Sequence, residues 1–384
     1  TLSAVNSTLV DLDENGNTIP DSAPYTAAPV IAADEPSAFL TGEKDADEGD
    51  VVIHGYKGST AEAYAKKYNR PFEIIRDLEY DEKAKHTKFT EGDFEYMTDG
   101  EYAWLNACVN KDIKEAVIPE KVNGMCVVGL VPDNRNNYFK GCTKLEKLTI
   151  NQHISPSDLA YMGTEDSPLT AYDIAPENDT PCKVIDGVIY SVSGKGILQV
   201  PNGIKVEFVV PDDVECILVG AFKNCKNITS VAMGNNVTDI KANAFEGCTS
   251  LENIKLSENL KSIDDIAFRN CSSLESVTLP DGINTIGHYA FLGCDKLKSI
   301  SLPDSVTSIG KEAFPESVET EKVNGISYIG KWAVYSTQKE LPENITLKDD
   351  TVGIASWGLN MQEKSALNIP ASIKYVSEAP YVYM

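Results

Sequence analysis

The chain has 384 residues and a formal net charge of −24, because 58 acidic residues outnumber 34 basic ones. This acidic balance repels the phosphates of nucleic acids and of anionic lipids, so we expect neither as a partner. No run of about 18 apolar residues is present, and no membrane span is expected.

The first part of the chain, residues 1–50, is rich in Asp, Ala, Pro and Ser and has few spaced apolar residues. This composition predicts a linker or an extended segment. Residues 51–90 are predicted to form a strand–helix unit followed by a charged linker. The strand covers residues 51–53, and the helix begins at Ser59, because Ser59 and Glu62 have the spacing of a capping box.

The remainder, residues 91–384, is predicted to form a solenoid of stacked coils. Apolar residues at 94–96 and 103–105 predict a hairpin that covers the first coil. An insertion at about 151–200 has two apolar runs around a Ser/Gly turn, which predicts a further β-hairpin. From about residue 318 the pattern weakens into irregular terminal coils.

The central feature is a repeat of 23 residues. Five phenylalanines and four cysteines recur at this interval: Phe222, Phe245, Phe268, Phe291 and Phe314, with Cys225, Cys248, Cys271 and Cys294. A fixed period in this range is typical of a solenoid, in which each repeat is one coil stacked on the next. We therefore expect the phenylalanine rings to form one continuous buried column.

Each coil has three parts, as residues 274–294 illustrate. The alternating step that ends at Leu279 predicts a short strand, which Pro280 ends. A second apolar pair, Ile283 and Ile286, begins the return leg. The Ala-Phe-x-x-Cys segment that follows predicts a tight helical turn, since its Phe and Cys lie three residues apart.

The full pattern, Leu-x-x-Val-x-Leu-Pro-x-x-Val-x-x-Ile-Gly-x-x-Ala-Phe-x-x-Cys, resembles the BspA-type leucine-rich repeats of bacterial surface proteins. The resemblance is strong over about 205–314 and looser over about 91–384. With the period, it implies an α/β repeat solenoid, a right-handed leucine-rich-repeat coil. Short parallel strands would line its concave face, and short helical or irregular turns its convex face. Family members are mostly secreted or wall-attached, and several are implicated in adhesion.

Two further segments are similar to companion elements of this family in gut Firmicutes. Residues 184–200 resemble its inserted hairpin, and residues 55–67 resemble its closing helix, which usually follows a repeat array. We therefore expect the chain to continue from an earlier array and to be secreted or displayed at the cell surface. No signal peptide is visible after Thr1, and we expect the targeting segment to have been removed.

Nine cysteines in a secreted protein normally suggest disulfides. The four periodic cysteines, however, occupy one equivalent site per coil, so their Cα–Cβ bonds should run parallel, which suits a disulfide poorly. We expect these thiols to be free and buried. Outside the period lie four cysteines for which the sequence shows no partner: Cys108, Cys126, Cys182 and Cys216.

We expect no catalytic residue, no cofactor and no bound metal, and the chain is not predicted to be an enzyme. The four histidines are dispersed, and none lies at ligand spacing from a Cys or an Asp. Neither a nucleophile motif nor a phosphate loop is present in the sequence. The resembled repeat pattern has no catalytic residues to transfer.

The outward-facing strand positions form the expected binding surface, here named the polar row. It consists of mostly small, polar side chains on successive coils: Ser230, Ala232, Asn253, Lys255, Ser276, Thr278, Ser299 and Ser301. Repeat proteins commonly bind through such faces. Two C-terminal tryptophans, Trp332 and Trp357, are candidate contacts for a glycan or a partner. The alternative is that these rings pack the terminal coils.

The function predicted from these features is a non-catalytic extracellular binding or adhesion module that recognises a protein or a cell-surface ligand. Two alternatives stay open. The chain could be an architectural spacer within a larger surface protein, or a glycan-binding accessory module.

Overall fold

The computed structural model contains two compact units, Thr1–Asp77 and Leu78–Met384. The structure describes residues 53–55, 72–74, 86–132, 137–151, 153–154, 156–159, 161–175, 182–204, 206–336, 344–356 and 366–377. The linker predicted at 1–50 and the helix predicted from Ser59 lie outside these residues. In the first unit, β1 (Ile53–Gly55) and β2 (Phe72–Ile74) pair in parallel.

The described part of the second unit consists of short strands and one helix of four residues. Before the regular repeats lie β3 (Thr87–Glu91), β4 (Phe94–Thr98), β5 (Tyr102–Cys108), β6 (Glu115–Val117), β7 (Lys121–Val122), β8 (Met125–Leu130), β9 (Lys147–Ile150), α1 (Pro156–Leu159), β10 (Ala171–Ile174), β11 (Cys182–Ile185), β12 (Val188–Ser191) and β13 (Gly196–Gln199). The regular repeats contain β14 (Val206–Val209), β15 (Cys216–Ile217), β16 (Ile228–Ala232), β17 (Asp239–Ile240), β18 (Asn253–Lys255), β19 (Ser262–Ile263), β20 (Thr285–Ile286) and β21 (Ser308–Ile309). After them come β22 (Glu321–Val323), β23 (Ile326–Ile329), β24 (Trp332–Ser336), β25 (Asn344–Thr346), β26 (Gly353–Ile354), β27 (Ala366–Asn368) and β28 (Tyr375–Val376).

The hairpin expected at the start of the solenoid is present. Strands β4 and β5 pair antiparallel within a five-stranded sheet of order β3-β4-β5-β8-β7. Its inner side chains, including Phe94, Tyr96 and Leu105, are buried in one core with the first coil, to which Phe139 and Leu148 belong. The sheet therefore covers apolar surface that an end coil would otherwise expose.

The hairpin expected around the Ser/Gly turn of the insertion is also present, because β12 and β13 pair antiparallel. A further antiparallel strand that was not predicted, β11, pairs with β12 and makes a three-stranded meander, β11-β12-β13. Asp186 and Gly187 join the first two strands with φ of 49° and 79°. Two successive positive φ values match the twist of a two-residue hairpin, which is why Asp-Gly occurs here. Strand β13 then pairs in parallel with β15, so the insertion leads directly into the regular array.

Two parallel ladders, rather than one, run along the regular repeats. The ladder predicted at the alternating step contains β14, β16 and β18 and continues only as a single bridge from Asn253 to Ser276. The longer ladder lies on the return leg, where β13, β15, β17, β19, β20 and β21 pair in order. In both ladders the paired residues of neighbouring regular coils, such as Ile254 with Val231, are 23 positions apart, except for Val206 and Ile228 at a bulge in β14, which are 22 apart.

The phenylalanine column is confirmed. Ring centroids of successive phenylalanines from Phe222 to Phe314 are 4.6, 5.0, 5.1 and 6.1 Å apart, and adjacent ring planes lie within 19° of parallel. The backbone stacks with the rings, since the Phe245 N–H donates to the Ala267 carbonyl of the next coil at 2.7 Å. The core of the array is therefore one uninterrupted apolar stack.

The helical turn predicted for Ala-Phe-x-x-Cys is wrong. The residue two before each Phe has a positive φ, and so does the residue two after each Phe except Phe314: Gly220, Asn243, Ile266, Tyr289 and Glu312 before it, and Asn224, Gly247, Asn270 and Gly293 after it. A left-handed residue cannot continue a right-handed helix. The segment instead closes a tight turn, in which the Cys248 N–H donates to the Phe245 carbonyl at 3.2 Å.

All nine cysteines are free, as expected for the periodic ones. Each periodic thiol is buried and donates to a carbonyl of the preceding coil; Cys271 Sγ lies 3.1 Å from Phe245 O, and Cys294 Sγ lies 3.1 Å from Phe268 O. Burial raises the pKa of Cys225 and of Cys271 well above the ordinary thiol value. These thiols act as small core residues that also satisfy a buried carbonyl.

The region beyond residue 318 contains a second meander, β22-β23-β24, that the sequence analysis missed. Its first turn is Asn324-Gly325, with φ of 53° and 79°. Strands β24, β26 and β28 then form a parallel ladder. The Ser356 N–H donates to Ile309 O at 2.8 Å, and Ser377 Oγ accepts from the Ile309 N–H at 2.9 Å, so the terminal coils cover the end of the array.

Candidate binding surface

The structure places most of the polar row on the surface. Six of its side chains are exposed, namely Asn253, Lys255, Ser276, Thr278, Ser299 and Ser301, and Ser230 and Ala232 are half-buried. Between them, Ile254 and Val277 point into the core and are buried. The alternation that defines a strand therefore also decides which side chains face solvent.

The row extends one coil further than the sequence analysis predicted. In β14, Glu207 pairs in register with Ser230, and Val209 pairs with Ala232. Val209 is 65% exposed, although it is a large apolar side chain. The same alternation could have identified both residues, because they lie on either side of Phe208, which packs against the core.

The exposed members of the row keep their hydrogen-bonding capacity. Within the described part of the chain, no side-chain hydrogen bond or ion pair engages the six exposed side chains. The first ladder holds the backbones of Asn253 and Lys255 and is bridged to Ser276, whereas Thr278, Ser299 and Ser301 lie on coils stacked through the phenylalanine column. The row is thus a regularly spaced set of unengaged hydroxyl, amide and ammonium groups on a stacked scaffold.

Polar side chains of β17 and β19 in the second ladder are engaged with one another and with Lys241. Ser262 Oγ donates to Asp239 Oδ1 at 2.8 Å, and Lys241 Nζ lies 3.0 Å from the same oxygen. Burial opposes ionisation of Asp239, but hydrogen bonds from Thr238, Lys241 and Ser262 outweigh it and lower its pKa. Burial raises the pKa of the neighbouring Asp264, although Lys241 opposes this.

A shallow cavity of about 340 Å³ adjoins this network and is lined in part by Asp264, Asp265, His288 and Ser356. The backbone N–H of His288 donates to Asp265 Oδ1 at 2.6 Å, and the ring atom His288 Nδ1 accepts from the backbone N–H of Lys311 at 2.8 Å. The polar atoms of His288 therefore serve to join neighbouring coils. Sequence analysis did not single out this cavity, because its residues come from five different coils.

Trp332 is not available for stacking on a ligand. It is only 3% exposed, and its ring stacks on Tyr375 with the two planes 2° apart. This placement favours the interpretation that the ring packs the terminal coils and contradicts a glycan contact at Trp332. Trp357 lies outside the described residues.

The repeat pattern itself matches a known family model. Six copies of the BspA type leucine rich repeat region cover residues 205–321. This region consists of BspA-type leucine-rich repeats. The BspA-type repeats thus include the whole phenylalanine column and every member of the polar row.

Several solved structures are similar to the chain that carries these BspA-type repeats. A leucine rich cell surface protein from Faecalibacterium prausnitzii is 18% identical, with 61% of this chain and 93% of that chain covered and a TM-score of 0.37. The pneumococcal vaccine antigen PcpA is 13% identical, with 76% and 98% covered and a TM-score of 0.38. A leucine-rich repeat protein from Bacteroides ovatus is 19% identical, with 80% and 68% covered and a TM-score of 0.29. A comparison with curated proteins gave no match.

Membrane-spanning helices and metal-binding clusters are both absent from the residues that the structure describes. No helix in the described part of the chain has the length and apolar composition needed to cross a bilayer. Among the described residues, no group of three or more His, Cys, Asp or Glu side chains is arranged to hold a metal ion.

Proposed function

We propose that the chain is a non-catalytic extracellular binding module that recognises a protein partner through the polar row. The observation that carries this proposal is the contrast between the two ladders. In the second ladder, Asp239 of β17 bonds to Ser262 of β19 and to Lys241, whereas the six exposed side chains of the row remain unengaged. A rigid face with unused donors and acceptors can bind without first breaking internal bonds.

The chemistry of the row suits a protein surface. Hydroxyl and amide groups, with one ammonium at Lys255 and one carboxylate at Glu207, offer many hydrogen bonds and little net charge. The charge of −24 on the whole chain opposes binding to nucleic acid and to anionic lipid. Exposed Val209 adds an apolar contact at one end of the row.

Secretion or display at the cell surface is part of the same proposal. It rests on the resemblance of the repeats to those of bacterial surface proteins, and adhesion is the activity that such a location would serve. The architectural spacer is the main alternative, because the continuous phenylalanine column alone would make the array a rigid rod.

Binding can be tested by surface plasmon resonance on the immobilised chain, with purified extracellular-matrix proteins and mucin as probes. Ser276→Arg places a long charged side chain in the middle of the row. Thr285→Arg is the matched control, because Thr285 is exposed in the same coil but belongs to the second ladder. We expect Ser276→Arg to weaken binding at least tenfold and Thr285→Arg to leave it within twofold.

Equal losses in both variants would contradict the assignment to the row. If the unmodified chain binds none of the probes, the binding proposal is wrong for these ligands and the spacer interpretation is favoured. Melting curves of both variants should match that of the unmodified chain, because both positions are exposed.

A further inference from the structure

The first coil differs from the regular coils in the residue that precedes its Phe-x-x-Cys turn in the stack. Cys142 follows Phe139 by three residues, as in the regular pattern. In place of a preceding phenylalanine stands Cys108, at the end of β5. The Cys108 N–H donates to Tyr138 O at 2.6 Å, which is the bond that each regular Phe makes to the next coil. Cys108 therefore occupies, relative to Phe139, the position that the preceding phenylalanine has in a regular coil.

Because Cys108 stands in place of a phenylalanine, the thiol of Cys142 lacks the carbonyl acceptor that the regular cysteines have. A regular cysteine donates to the phenylalanine carbonyl of the coil before it, but here the equivalent carbonyl, Cys108 O, accepts from Lys111 Nζ at 2.6 Å. Both thiols instead point toward Asn110 O, with Cys108 Sγ at 3.3 Å and Cys142 Sγ at 4.0 Å. The two thiols also interact directly with each other.

Cys108 and Cys142 do not occupy equivalent positions on successive coils, as the periodic cysteines do. Cys108 ends a strand of the covering sheet, and Cys142 lies in the turn after Phe139. Their Cα–Cβ bonds are therefore not required to run parallel, which is the geometric obstacle to a disulfide between stacked coils. A hydrogen bond from Cys108 and the nearby charge of Lys111 also favour the thiolate of Cys142, lowering its pKa, whereas burial raises the pKa of Cys225.

We propose that Cys108 and Cys142 form a disulfide when the protein meets hydrogen peroxide, and that the other seven thiols stay reduced. The Cys142 thiolate attacks one peroxide oxygen, which breaks the O–O bond, gives a sulfenic acid and releases hydroxide. The Cys108 sulfur then attacks the Cys142 sulfur and releases the second oxygen as water. In total, two thiols and one peroxide give one disulfide and two waters.

Peroxide is the suitable oxidant because both cysteines are buried, with exposed fractions of 0% for Cys108 and 1% for Cys142. A two-oxygen molecule needs only a small local opening, and the end of a repeat array opens more readily than its centre. The bond would join the covering sheet to the first coil and close a loop of 34 residues, which constrains the unfolded chain.

The test is peptide mapping of the folded, full chain with and without mild hydrogen peroxide, after alkylation and without reductant. We expect one linked peptide pair, Cys108 with Cys142, and a loss of two of the nine alkylatable thiols. The melting temperature should rise by several degrees and return after reduction. If all nine thiols still react, or if the linked peptides join other cysteines, the proposal is wrong.

Two variants make the result specific. In Cys108→Ser the sulfenic acid on Cys142 has no second thiol to attack it, and we expect the probe dimedone to label Cys142. Cys126→Ser is the matched control, because Cys126 is a half-buried cysteine of the same sheet, and it should leave the linked pair unchanged. Should Cys108→Ser fail to fold, the mapping of the unmodified chain decides the question alone.

Discussion

Replacing Phe268 tests whether the phenylalanine column stabilises the array. The ring is fully buried, with neighbours at 5.0 and 5.1 Å on its two sides and planes within 5° of parallel. Phe268→Ala removes this ring and leaves a cavity, which costs about 3–5 kcal/mol in a protein core. Phe268→Leu keeps an apolar side chain but removes two ring pairs, each worth about 0.5–1.5 kcal/mol, so it should cost about 1–3 kcal/mol.

The assay must report on individual coils, because repeat arrays do not always unfold in one transition. Urea denaturation would give the overall loss of stability. Hydrogen exchange of the Phe245 and Phe268 amides, which bond to Ala267 and Ala290, would show where the loss falls. We expect both amides to exchange faster in Phe268→Ala.

Phe314 provides the internal comparison. It ends the column and, among the described residues, stacks on one ring, Phe291, at the longer distance of 6.1 Å. Phe314→Leu should therefore cost about half as much as Phe268→Leu, since one ring pair is lost instead of two. Equal costs, or a Phe268→Ala variant within about 1 kcal/mol of the unmodified chain, would refute the argument that the stacked rings stabilise the array.

Two further predictions concern the turns and the second ladder. Ile266 is β-branched at φ 62°, which costs about 1–2 kcal/mol, so Ile266→Asn should raise the free energy of unfolding by up to about 1 kcal/mol. The reverse change at the equivalent site, Asn243→Ile, should lower it by about 1–2 kcal/mol in the same urea assay. The pKa of Asp264 is raised, so the neutral carboxyl favours folding, and this contribution to stability is lost as the pH rises through that pKa. Asp264→Asn should therefore stabilise the chain at pH 7 but not below about pH 4, where the carboxyl is already neutral. The pKa of Asp239 is lowered, so its ionised form favours folding. Asp239→Asn should destabilise the chain at pH 7, and this loss of stability should fade as the pH falls through that pKa. Both effects, measured by thermal melts across pH, should stay under about 1 kcal/mol because both carboxyls are partly solvated.

Features that repeat along the chain could be predicted from the sequence. The 23-residue period places each Phe over the Phe of the preceding coil, so the same residue types make the same packing contacts in every coil. The buried periodic thiols and the exposed positions of the polar row follow from the same regularity, because alternation within a strand separates inner from outer residues. The hairpin turns are local signals as well, and Asn324-Gly325 could have predicted the second meander.

Features that depend on contacts between unlike segments were decided only by the tertiary structure. Whether Trp332 faces a ligand or the core depends on where Tyr375 packs, and these two residues lie 43 positions apart in different elements. The partner of Cys108 is Cys142, which reaches it only because a covering sheet replaces the preceding coil. The turn beside each Phe depends on positive φ values at residues such as Ile266 and Tyr289. These residue types do not favour a positive φ, so the sequence does not predict the turn, and stacking of the coils imposes it.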